Sequence, residues 1–377
     1  MKPKCQLVLG IMSGTSLDTV DYALCEISAR DIHLRDLWTA RFPRALQARL
    51  HAAVRGETLS WELAQLHHDL GRFYTAHARD GHLRQQPALV GLHGQTIFHQ
   101  PAPPSPATLQ LGEPAYLAET LRIPVVSNFR VADLAAGGQG APLATLFHQR
   151  VFAQRGRHIC VNNLGGISNV TSIDWSRGRE QKLLSFDTGP ANVLLDLAMR
   201  EFSGGRLHFD RDGKRAARGH VHEPLLRRWL RHPYFSAPPP KSTGRELFGE
   251  TFFHDALRQM RRAKLNDSDI LATLTDFTAR ALAMNYRLHL ATAPHTVILS
   301  GGGASNPTLL HAITAELQQL NPHVNIQTSA QLEWPVQSIE PAAFALLAWM
   351  RMRKKPGNLP ATTGANRALL LGQITEG

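Results

Sequence analysis

A polar turn between two apolar runs, close to the start of the chain, is the feature that most constrains the fold. Residues 6–10 form a short apolar run, and residues 20–27 form a second, partly alternating one. This pattern predicts two β-strands joined by a tight turn. Backbone N–H groups gathered with Ser and Thr hydroxyls can form a concave phosphate site, but an ordinary surface hairpin would have the same pattern. The turn consists of Ser13, Gly14, Thr15, Ser16, Leu17 and Asp18.

A second stretch of the same kind begins the later half of the chain. Residues 159–163 and 170–173 are apolar runs, and the turn between them includes Asn163, Gly165 and Gly166. Two such stretches predict a duplicated α/β architecture with two turns that face phosphate. The identity between the stretches is too weak to establish a repeat, so a chance second hairpin stays open.

Composition sets the class of protein. With 377 residues, 43% of them hydrophobic, the chain is long enough for about two globular domains. Cys5, Cys25 and Cys160 form no close pair, which argues against a disulfide framework or a zinc site and favours a reducing compartment. No apolar run approaches the length of a membrane span. The net charge of +11 comes from scattered Arg and Lys without interleaved aromatics, so it favours anionic small molecules over nucleic acid.

Two other apolar runs end in residues that can carry chemistry. His93 follows the run 88–92, and Asp187 follows the run 183–186. Polar residues at the carboxyl ends of buried strands usually face a ligand site. His93 can also be a hydrogen-bonded core histidine. Asp187 can be a helix N-cap, or a carboxylate that acts as a base or contacts a metal.

Glycine-rich and basic segments mark further candidate sites. Residues 137–142 indicate either close backbone approach to a ligand or a linker between two halves. Gly301 and Gly302 follow a strand shortly before Pro307 begins a helix, which is the general nucleotide-binding layout without the dinucleotide fingerprint. Residues 241–246 are basic and hydroxyl-rich, and they either contact an anion or form a solvated connector.

Together these stretches resemble the anhydro-N-acetylmuramic acid kinase family, of the actin, Hsp70 and sugar-kinase superfamily, along nearly the whole chain. The resemblance is specific because many separate motifs match in order. The segments that carry it are residues 12–18, His93-Gly94-Gln95-Thr96, Asn128-Phe129-Arg130 with Asp133, residues 137–142, residues 163–166 with Ser168-Asn169, Phe186-Asp187-Thr188-Gly189-Pro190, Phe209-Asp210 with Asp212-Gly213, and Lys241-Ser242-Thr243-Gly244-Arg245-Glu246.

The resemblance implies an α/β fold of duplicated actin-like (ribonuclease H-like) ATPase lobes around a central cleft. The first lobe is expected to span residues 1–130, completed by 345–377, and the second to span 131–344. The implied cofactors are ATP and Mg²⁺. The implied substrate is a small amino sugar, 1,6-anhydro-N-acetylmuramic acid, in cytoplasmic peptidoglycan recycling. No nucleic-acid or membrane partner is expected, and a homodimer is compatible with the sequence without being specified by it.

The resemblance also implies roles for single residues. Asp187 is the expected base that activates water at C1 while the 1,6 bond opens and the departing O6 takes the γ-phosphoryl group. The first turn from Ser13 to Asp18 is the expected ATP phosphate loop. The remaining residues expected to bind nucleotide are Asn163, Gly165, Gly166, Gly301 and Gly302, and those expected around the sugar are His93, Arg130 and Glu340. Glu340 begins a predicted helix and is stabilised there by the helix dipole whatever its function. No metal ligand is assigned.

Three positions depart from the family pattern. Thr19 and Ala191 stand where the family usually has glycine, and Glu340-Pro341-Ala342 replaces a Glu-Gly-Met sequence. A β-branched residue is unfavourable if position 19 requires a positive φ or bare backbone near phosphate. These departures motivate an alternative function, a catalytically impaired sugar- or nucleotide-binding homologue. A nucleic-acid-binding protein is a third hypothesis, supported only by the net charge.

Overall fold

The computed structural model describes residues 5–14, 16–82, 85–102, 104–178 and 180–377. It divides into two compact units. The first comprises Met1–Val151 with Gln337–Gly377, and the second comprises Phe152–Val336. None of the described helices is long and apolar enough to cross a membrane. Each unit is built on its own β-sheet.

The elements are numbered in chain order. The strands are β1 (Gln6–Ser13), β2 (Thr19–Ile27), β3 (Ile32–Arg41), β4 (Leu89–Gln100), β5 (Ala107–Leu111), β6 (Val125–Ser127), β7 (His158–Leu164), β8 (Ile167–Asp174), β9 (Lys182–Pro190), β10 (Thr296–Ser300), β11 (Asn325–Thr328) and β12 (Gln373–Thr375). The helices are α1 (Arg44–Val54), α2 (Ser60–His77), α3 (Ala115–Leu121), α4 (Val131–Ala135), α5 (Thr145–Phe152), α6 (Asn192–Ser203), α7 (Glu223–Trp229), α8 (Pro233–Ser236), α9 (Arg245–Phe248), α10 (Glu250–Arg262), α11 (Asp267–His289), α12 (Pro307–Leu320), α13 (Ile339–Met352) and α14 (Pro360–Thr363).

The first unit contains a seven-stranded sheet in the order β12-β6-β4-β1-β2-β3, with β5 paired to β4. The predicted first hairpin is present: β1 and β2 pair antiparallel from Gln6 opposite Ile27 to Ser13 opposite Val20. The middle of each strand is buried, as expected for strands that are largely apolar on both faces. Strand β4 lies parallel to β1, so both strands point their carboxyl ends in the same direction.

The second unit repeats this arrangement. Its five-stranded sheet has the order β11-β10-β7-β8-β9. Strands β7, β8 and β9 form an antiparallel meander, as β1, β2 and β3 do, and β10 and β11 join β7 in parallel, as β4 and β6 join β1. The matching order and directions confirm the expected fold class of duplicated actin-like α/β lobes, because one chance hairpin would not reproduce five strands.

Helix caps explain where two long helices begin in the second unit. The side chain of Asn266 accepts a hydrogen bond from the N–H of Asp269 at the start of α11. The side chain of Asn306 accepts one from Leu309, and Pro307 occupies the first turn of α12, as predicted. Each such cap contributes about 1 kcal/mol by satisfying an N–H group that the helix leaves unpaired. Helix α11 is buried along most of its length and forms much of the core of this unit.

Helix α13 packs closely on β1 and β4 because both strands present a glycine to it. A Cβ atom on Gly10 would lie 1.8 Å from the carbonyl oxygen of Pro341, and one on Gly91 would lie 2.2 Å from that of Phe344. Neither position has room for a methyl group. The glycines therefore fix the distance between the helix and the two parallel strands of the first unit.

The boundaries of the units differ from those expected from the sequence, which were 130/131 and 344/345. Residues after 130 stay with the first unit because the carboxylate of Asp133 accepts hydrogen bonds from Asn358, Thr363 and the N–H of Gly140. The Gly-rich segment 137–142 therefore folds onto the C-terminal part of the chain, and the units divide at 151/152. The later division falls at 336/337, because α13 packs on the first sheet from its first turn.

Two strands are longer than the sequence pattern predicted. Strand β4 runs through His93 to Gln100, since it pairs with β5 after an irregularity in its pairing with β1. Strand β9 runs through Asp187 to Pro190, since it stays paired with β8. The N-cap interpretation of Asp187 is wrong, because the residue that precedes α6 is Ala191.

The close approach of α13 generates a stability prediction. Gly10→Ala and Gly91→Ala are each expected to lower the free energy of unfolding by about 2–3 kcal/mol, because the new methyl group must displace a helix carbonyl. Gly14→Ala is the matched control, since a Cβ there meets nothing within 4 Å. Urea denaturation measures the difference. Equal stability of Gly10→Ala and Gly14→Ala would contradict the close packing of α13 on β1.

Candidate functional site

In the first unit the turn after β1 is held from two sides. The carbonyl oxygen of Gly14 accepts hydrogen bonds from the side chain of the buried Gln95 at 3.1 Å and from the N–H of Leu17 at 3.4 Å. From α1, Gln47 Nε2 donates to Leu17 O at 3.0 Å and to Asp18 Oδ1 at 2.7 Å. Ser16 and Asp18 are exposed at this turn, and Gly14 is half-buried. Thr15 lies outside the described residues.

The Ser13 side chain does not point out of the turn. Its buried hydroxyl lies 3.0 Å from the Tyr74 hydroxyl and donates to the Gly94 carbonyl at 3.3 Å. Ser13 therefore anchors the strand end to α2 and β4. Its expected contribution to a phosphate site rests on its backbone and stays a prediction.

Leu17 carries the unusual backbone of this turn, with a φ of 60°. A left-handed backbone costs a bulky residue about 1–2 kcal/mol. Its side chain is buried in the core of the first unit, and burial of a leucine contributes about 1.5–3 kcal/mol. Core packing can therefore hold the turn in a conformation that the backbone alone disfavours.

The three residues expected around the sugar lie near one another in the first unit. Both ring nitrogens of the buried His93 are used: Nδ1 lies 2.7 Å from the Gly94 carbonyl, and Nε2 accepts from Arg130 Nε at 3.1 Å. The pKa of His93 is held well below its ordinary value, first by burial and then by the Arg130 charge. The ring is therefore neutral and acts as a hydrogen-bonded core histidine that orients Arg130.

Arg130 also bonds a main-chain carbonyl and keeps its charge. Its Nη1 donates to the Gly140 carbonyl at 2.8 Å, and burial lowers its pKa to about 10, which leaves it charged at neutral pH. Glu340, in the first turn of α13, is close enough for its charge to oppose that shift. Phe344, one turn later on the same helix, packs on the His93 ring with centroids 4.4 Å apart. Sugar binding by these residues stays a prediction.

In the second unit the predicted nucleotide residues form one cluster at the carboxyl ends of β7 and β10. Ser300 pairs with Asn163 in the parallel ladder, and Gly301 follows with a φ of 79°. A Cβ on Gly301 would lie 2.3 Å from Asn163 Oδ1 and 2.6 Å from the main-chain carbon of Leu164. Only glycine fits there. A Cβ on Gly302 meets no atom nearer than 4.0 Å, so the backbone beside it is open.

The turn between β7 and β8 is tied to the start of α6. Asn192 Nδ2 donates to the carbonyls of Leu164 and Gly165 at 2.9 and 2.8 Å. The N–H groups of Ala191 and Val193 donate to the carbonyl of Gly166. These turn carbonyls satisfy N–H groups that a helix start leaves unpaired. The structure thus brings Asn163, Gly165, Gly166, Gly301 and Gly302 together.

Asp187 lies in β9 and is held at three of its atoms. Its N–H donates to the Lys241 carbonyl at 3.1 Å, and its carbonyl accepts from the Tyr234 hydroxyl at 2.7 Å. Its carboxylate oxygen Oδ2 accepts from the N–H of Thr243 at 2.9 Å. The basic loop 241–246 therefore contacts a carboxylate through its backbone. The Thr243 hydroxyl is buried and has no hydrogen-bond partner among the residues that the structure describes.

The pKa of Asp187 is raised to about 6. Desolvation is the largest cause, the Glu246 charge raises the pKa further, and the hydrogen bond from Thr243 opposes both. A carboxyl with this pKa is ionised at neutral pH yet is a stronger base than an exposed aspartate. Such a group can accept a proton from water.

Comparison with known proteins bears on this arrangement. A family model described as "Anhydro-N-acetylmuramic acid kinase" matches residues 6–377. The chain belongs to this family. A protein of that name from Acaryochloris marina (strain MBIC 11017) is 42% identical over 378 residues, which cover 97% of this chain and 99% of the relative. Another, from Microcystis aeruginosa (strain NIES-843 / IAM M-2473), is 40% identical over 383 residues, covering 98% and 99%. The resemblance inferred from the motifs is confirmed.

Neither of the two glycine replacements has the positive φ that favours glycine. Thr19 begins β2 and does not adopt a positive φ, and Ala191 has a φ of −118°. Among the described residues of the first turn, Leu17 has the left-handed backbone, two positions before Thr19. The structure therefore gives no conformational support to the impaired-homologue alternative.

Several residues that shape these sites were not assigned to them from the sequence. Gln95 and Thr243 lie inside the motifs that carry the family resemblance, so the motifs contained a signal for them, and Asn192 lies two residues after the motif that ends at Pro190. Gln47 and Tyr234 had no such signal, because each is a single polar residue on a helix far along the chain from its partner. Only the tertiary structure shows that they hold the first turn and Asp187.

The raised pKa of Asp187 generates a prediction about stability. The folded-state pKa of about 6 exceeds the ordinary value of 3.8, so the carboxyl's contribution to stability is complete below that ordinary value and is lost as pH rises through about 6. Asp187→Asn has no carboxyl at this position, so it does not lose this stability as pH rises. Its melting temperature relative to the unchanged protein should increase between about pH 4 and pH 7. A difference independent of pH would show that the carboxyl titrates normally.

The glycine cluster of the second unit generates another prediction. Gly301→Ala should destabilise the protein by about 2 kcal/mol, because alanine disfavours a positive φ and meets Asn163. Gly302→Ala should change stability by less than about 0.5 kcal/mol, since its surroundings are open. Thermal denaturation of both variants measures this contrast. Similar melting temperatures would contradict the assigned role of Gly301.

Proposed function

We propose that this chain is an ATP-dependent kinase that opens the 1,6-anhydro ring of 1,6-anhydro-N-acetylmuramic acid with water and phosphorylates O6, giving N-acetylmuramic acid 6-phosphate. Membership of the kinase family supports the reaction class. The observation that carries the chemistry is Asp187, a carboxylate with a raised pKa held in a fixed orientation by its backbone and by Thr243.

The proposed task of Asp187 is to accept a proton from the water that attacks C1. Ring opening breaks the bond between C1 and O6, and the electron pair of that bond stays on O6. Because O6 then bonds to phosphorus, no separate acid needs to protonate it, and a second carboxylate working as in an ordinary glycosidase is not required. Thr243 donates its N–H to the Asp187 carboxylate, and its hydroxyl has no partner among the described residues. That hydroxyl can hydrogen-bond a water beside the carboxylate.

The turn after β7 and the Gly301 cluster, both in the second unit, fit a nucleotide. Gly166 and Gly302 are exposed, and the backbone near Gly302 leaves space for a ligand to approach. ATP would supply the phosphoryl group, and Mg²⁺ would neutralise charge on its phosphates. The described residues contain no group of three or more His, Cys, Asp or Glu that could hold a metal by itself. Mg²⁺ on phosphates needs only one or two carboxylates, so this does not argue against the ion.

Arg130 and Glu340 suit the sugar. The lactyl group of muramic acid is anionic, and Arg130 stays charged at neutral pH. Glu340 can accept hydrogen bonds from hydroxyl or amide groups of a sugar. His93 contributes indirectly, because its neutral ring accepts from Arg130 and thereby limits the orientations of the guanidinium.

The proposal is tested by turnover. Protein incubated with ATP, Mg²⁺ and 1,6-anhydro-N-acetylmuramic acid should form the 6-phosphate sugar, detected by mass spectrometry. Asp187→Asn should lose at least about 100-fold in kcat because the amide cannot accept the proton, while ATP binding measured by calorimetry persists. The control is Asp255→Asn, which removes an exposed carboxylate in the same unit. Turnover by Asp187→Asn at the rate of the wild-type protein would show that Asp187 is not the base. An absence of turnover by folded wild-type protein would refute the proposed function.

A further inference from the structure

Asp187 belongs to a closed ring of three residues. Its N–H donates to the Lys241 carbonyl at 3.1 Å, and its carbonyl accepts from the Tyr234 hydroxyl at 2.7 Å. The ring is closed by the Lys241 ammonium, whose Nζ donates to the Tyr234 carbonyl at 3.1 Å. Two of these three contacts hold the backbone of Asp187. The third joins the two partners to each other.

The ammonium of Lys241 is committed to this part of the protein. Besides Tyr234 O, Nζ lies 3.1 Å from Phe235 O and 3.2 Å from His289 Nε2. It also lies 4.8 Å from the centroid of the Tyr234 ring. The described residues place no carboxylate within salt-bridge distance of it. An ammonium has three donors, and here two of them meet main-chain carbonyls of α8.

A lysine is suited to this position for a geometric reason. Tyr234 and Phe235 lie in the short helix α8, whose last carbonyls have no intrahelical partner. The Lys241 side chain satisfies two of them, while its own backbone runs beside β9 at Asp187. Thr243, two residues later in the same segment, donates its N–H to the Asp187 carboxylate. The lysine therefore links α8 to the segment that orients the carboxylate.

We propose that Lys241 is a positioning residue for Asp187: by joining α8 to residues 241–243, its ammonium holds the Thr243 N–H against the carboxylate and keeps that carboxylate in one orientation. This inference rests on the proposed role of Asp187 as the base. Lys241 itself needs no contact with nucleotide or sugar. Loss of its ammonium should reduce kcat and leave the KM values for both substrates unchanged.

The proton affinity of Asp187 reports on the ring. The pKa of Asp187 is set by its burial in β9, by the Thr243 N–H and by the charge of Glu246 from α9. The next residues outward are Tyr234, Lys241 and His289. The Thr243 hydrogen bond lowers the pKa of Asp187. If the segment loosens, that bond weakens and the pKa rises. The acidic limb of the pH profile should then move to higher pH.

The test compares Lys241→Met, Lys241→Arg and Tyr234→Phe with Lys182→Met, an exposed lysine at the start of the same strand. Lys241→Met should lower kcat about tenfold at unchanged KM, as expected for a misplaced base. The acidic limb of its kcat/KM profile should rise by about half a pH unit. Lys241→Arg should recover part of the loss. Tyr234→Phe should act in the same direction, and adding it to Lys241→Met should cost little more, because the ring is already broken.

Three results would overturn the proposal: an unchanged profile in folded Lys241→Met, a lower melting temperature without a shift of the acidic limb, or fully additive losses in the double variant. Wild-type protein without turnover would refute the proposed function instead. In that case a second measurement tests the ring. The melting temperature of each protein is compared with that of the same protein carrying Asp187→Asn, as a function of pH. That titration must move to higher pH in Lys241→Met and in Tyr234→Phe, and a fixed titration would refute the positioning role. Tyr234→Phe keeps the test valid if Lys241→Met fails to fold.

Discussion

The pairing of an antiparallel hairpin with a parallel neighbour is the constraint on which both units depend. In each sheet the first strand, β1 or β7, pairs antiparallel with the second strand of its hairpin. On its other side it pairs with a parallel strand, β4 or β10. The turn of the hairpin must therefore lie at the edge where the parallel strands end. Backbone groups at that edge have no further ladder partner, so this edge is where a ligand can be bound. The placement of Gly14 and of Gly165 follows from the strand directions, whatever the side chains.

The turn after β1 and the segment after β10 each contain a residue with a positive φ, and the two units accommodate it in different ways. In the first unit Leu17 is left-handed, and its side chain is held by burial. In the second unit Gly301 has a positive φ at little cost, because it lacks a Cβ. One site is thus stabilised by packing and the other by the absence of a side chain. A substitution at Leu17 loses core contacts, whereas one at Gly301 introduces a clash.

The sequence predicted what depends on local patterns. Both hairpins, the helix that begins at Pro307 and the cluster of glycines after β10 follow from apolar runs and from glycine and proline positions. The sequence did not predict that β4 continues beyond His93 or that β9 continues beyond Asp187. Each strand continues because it pairs with another strand, and such pairing produces no periodic pattern in the sequence. The division of the units was displaced for a related reason: Asp133 bonds Asn358 and Thr363, more than two hundred residues away in sequence.

The candidate site shows the same division between local and long-range information. Asp187 was identified through its motif, but its pKa depends on desolvation and on Glu246, and its orientation depends on Tyr234, Lys241 and Thr243. Motifs contain residue types, and they do not contain the distances that determine proton affinity. This is also why Ser13 was assigned to a phosphate loop by its position, although its hydroxyl bonds Tyr74.

The basicity and the orientation of Asp187 cannot be adjusted independently. Desolvation strengthens the base by destabilising its charged form, and it is the largest cause of the raised pKa of Asp187. The Thr243 N–H stabilises the charged form and also fixes Oδ2 in space. One hydrogen bond therefore lowers the pKa of Asp187 and also fixes the orientation of its carboxylate. Any change that moves the segment 241–243 alters both properties together, which makes the position of that segment, more than the carboxylate alone, the determinant of how well Asp187 can accept a proton.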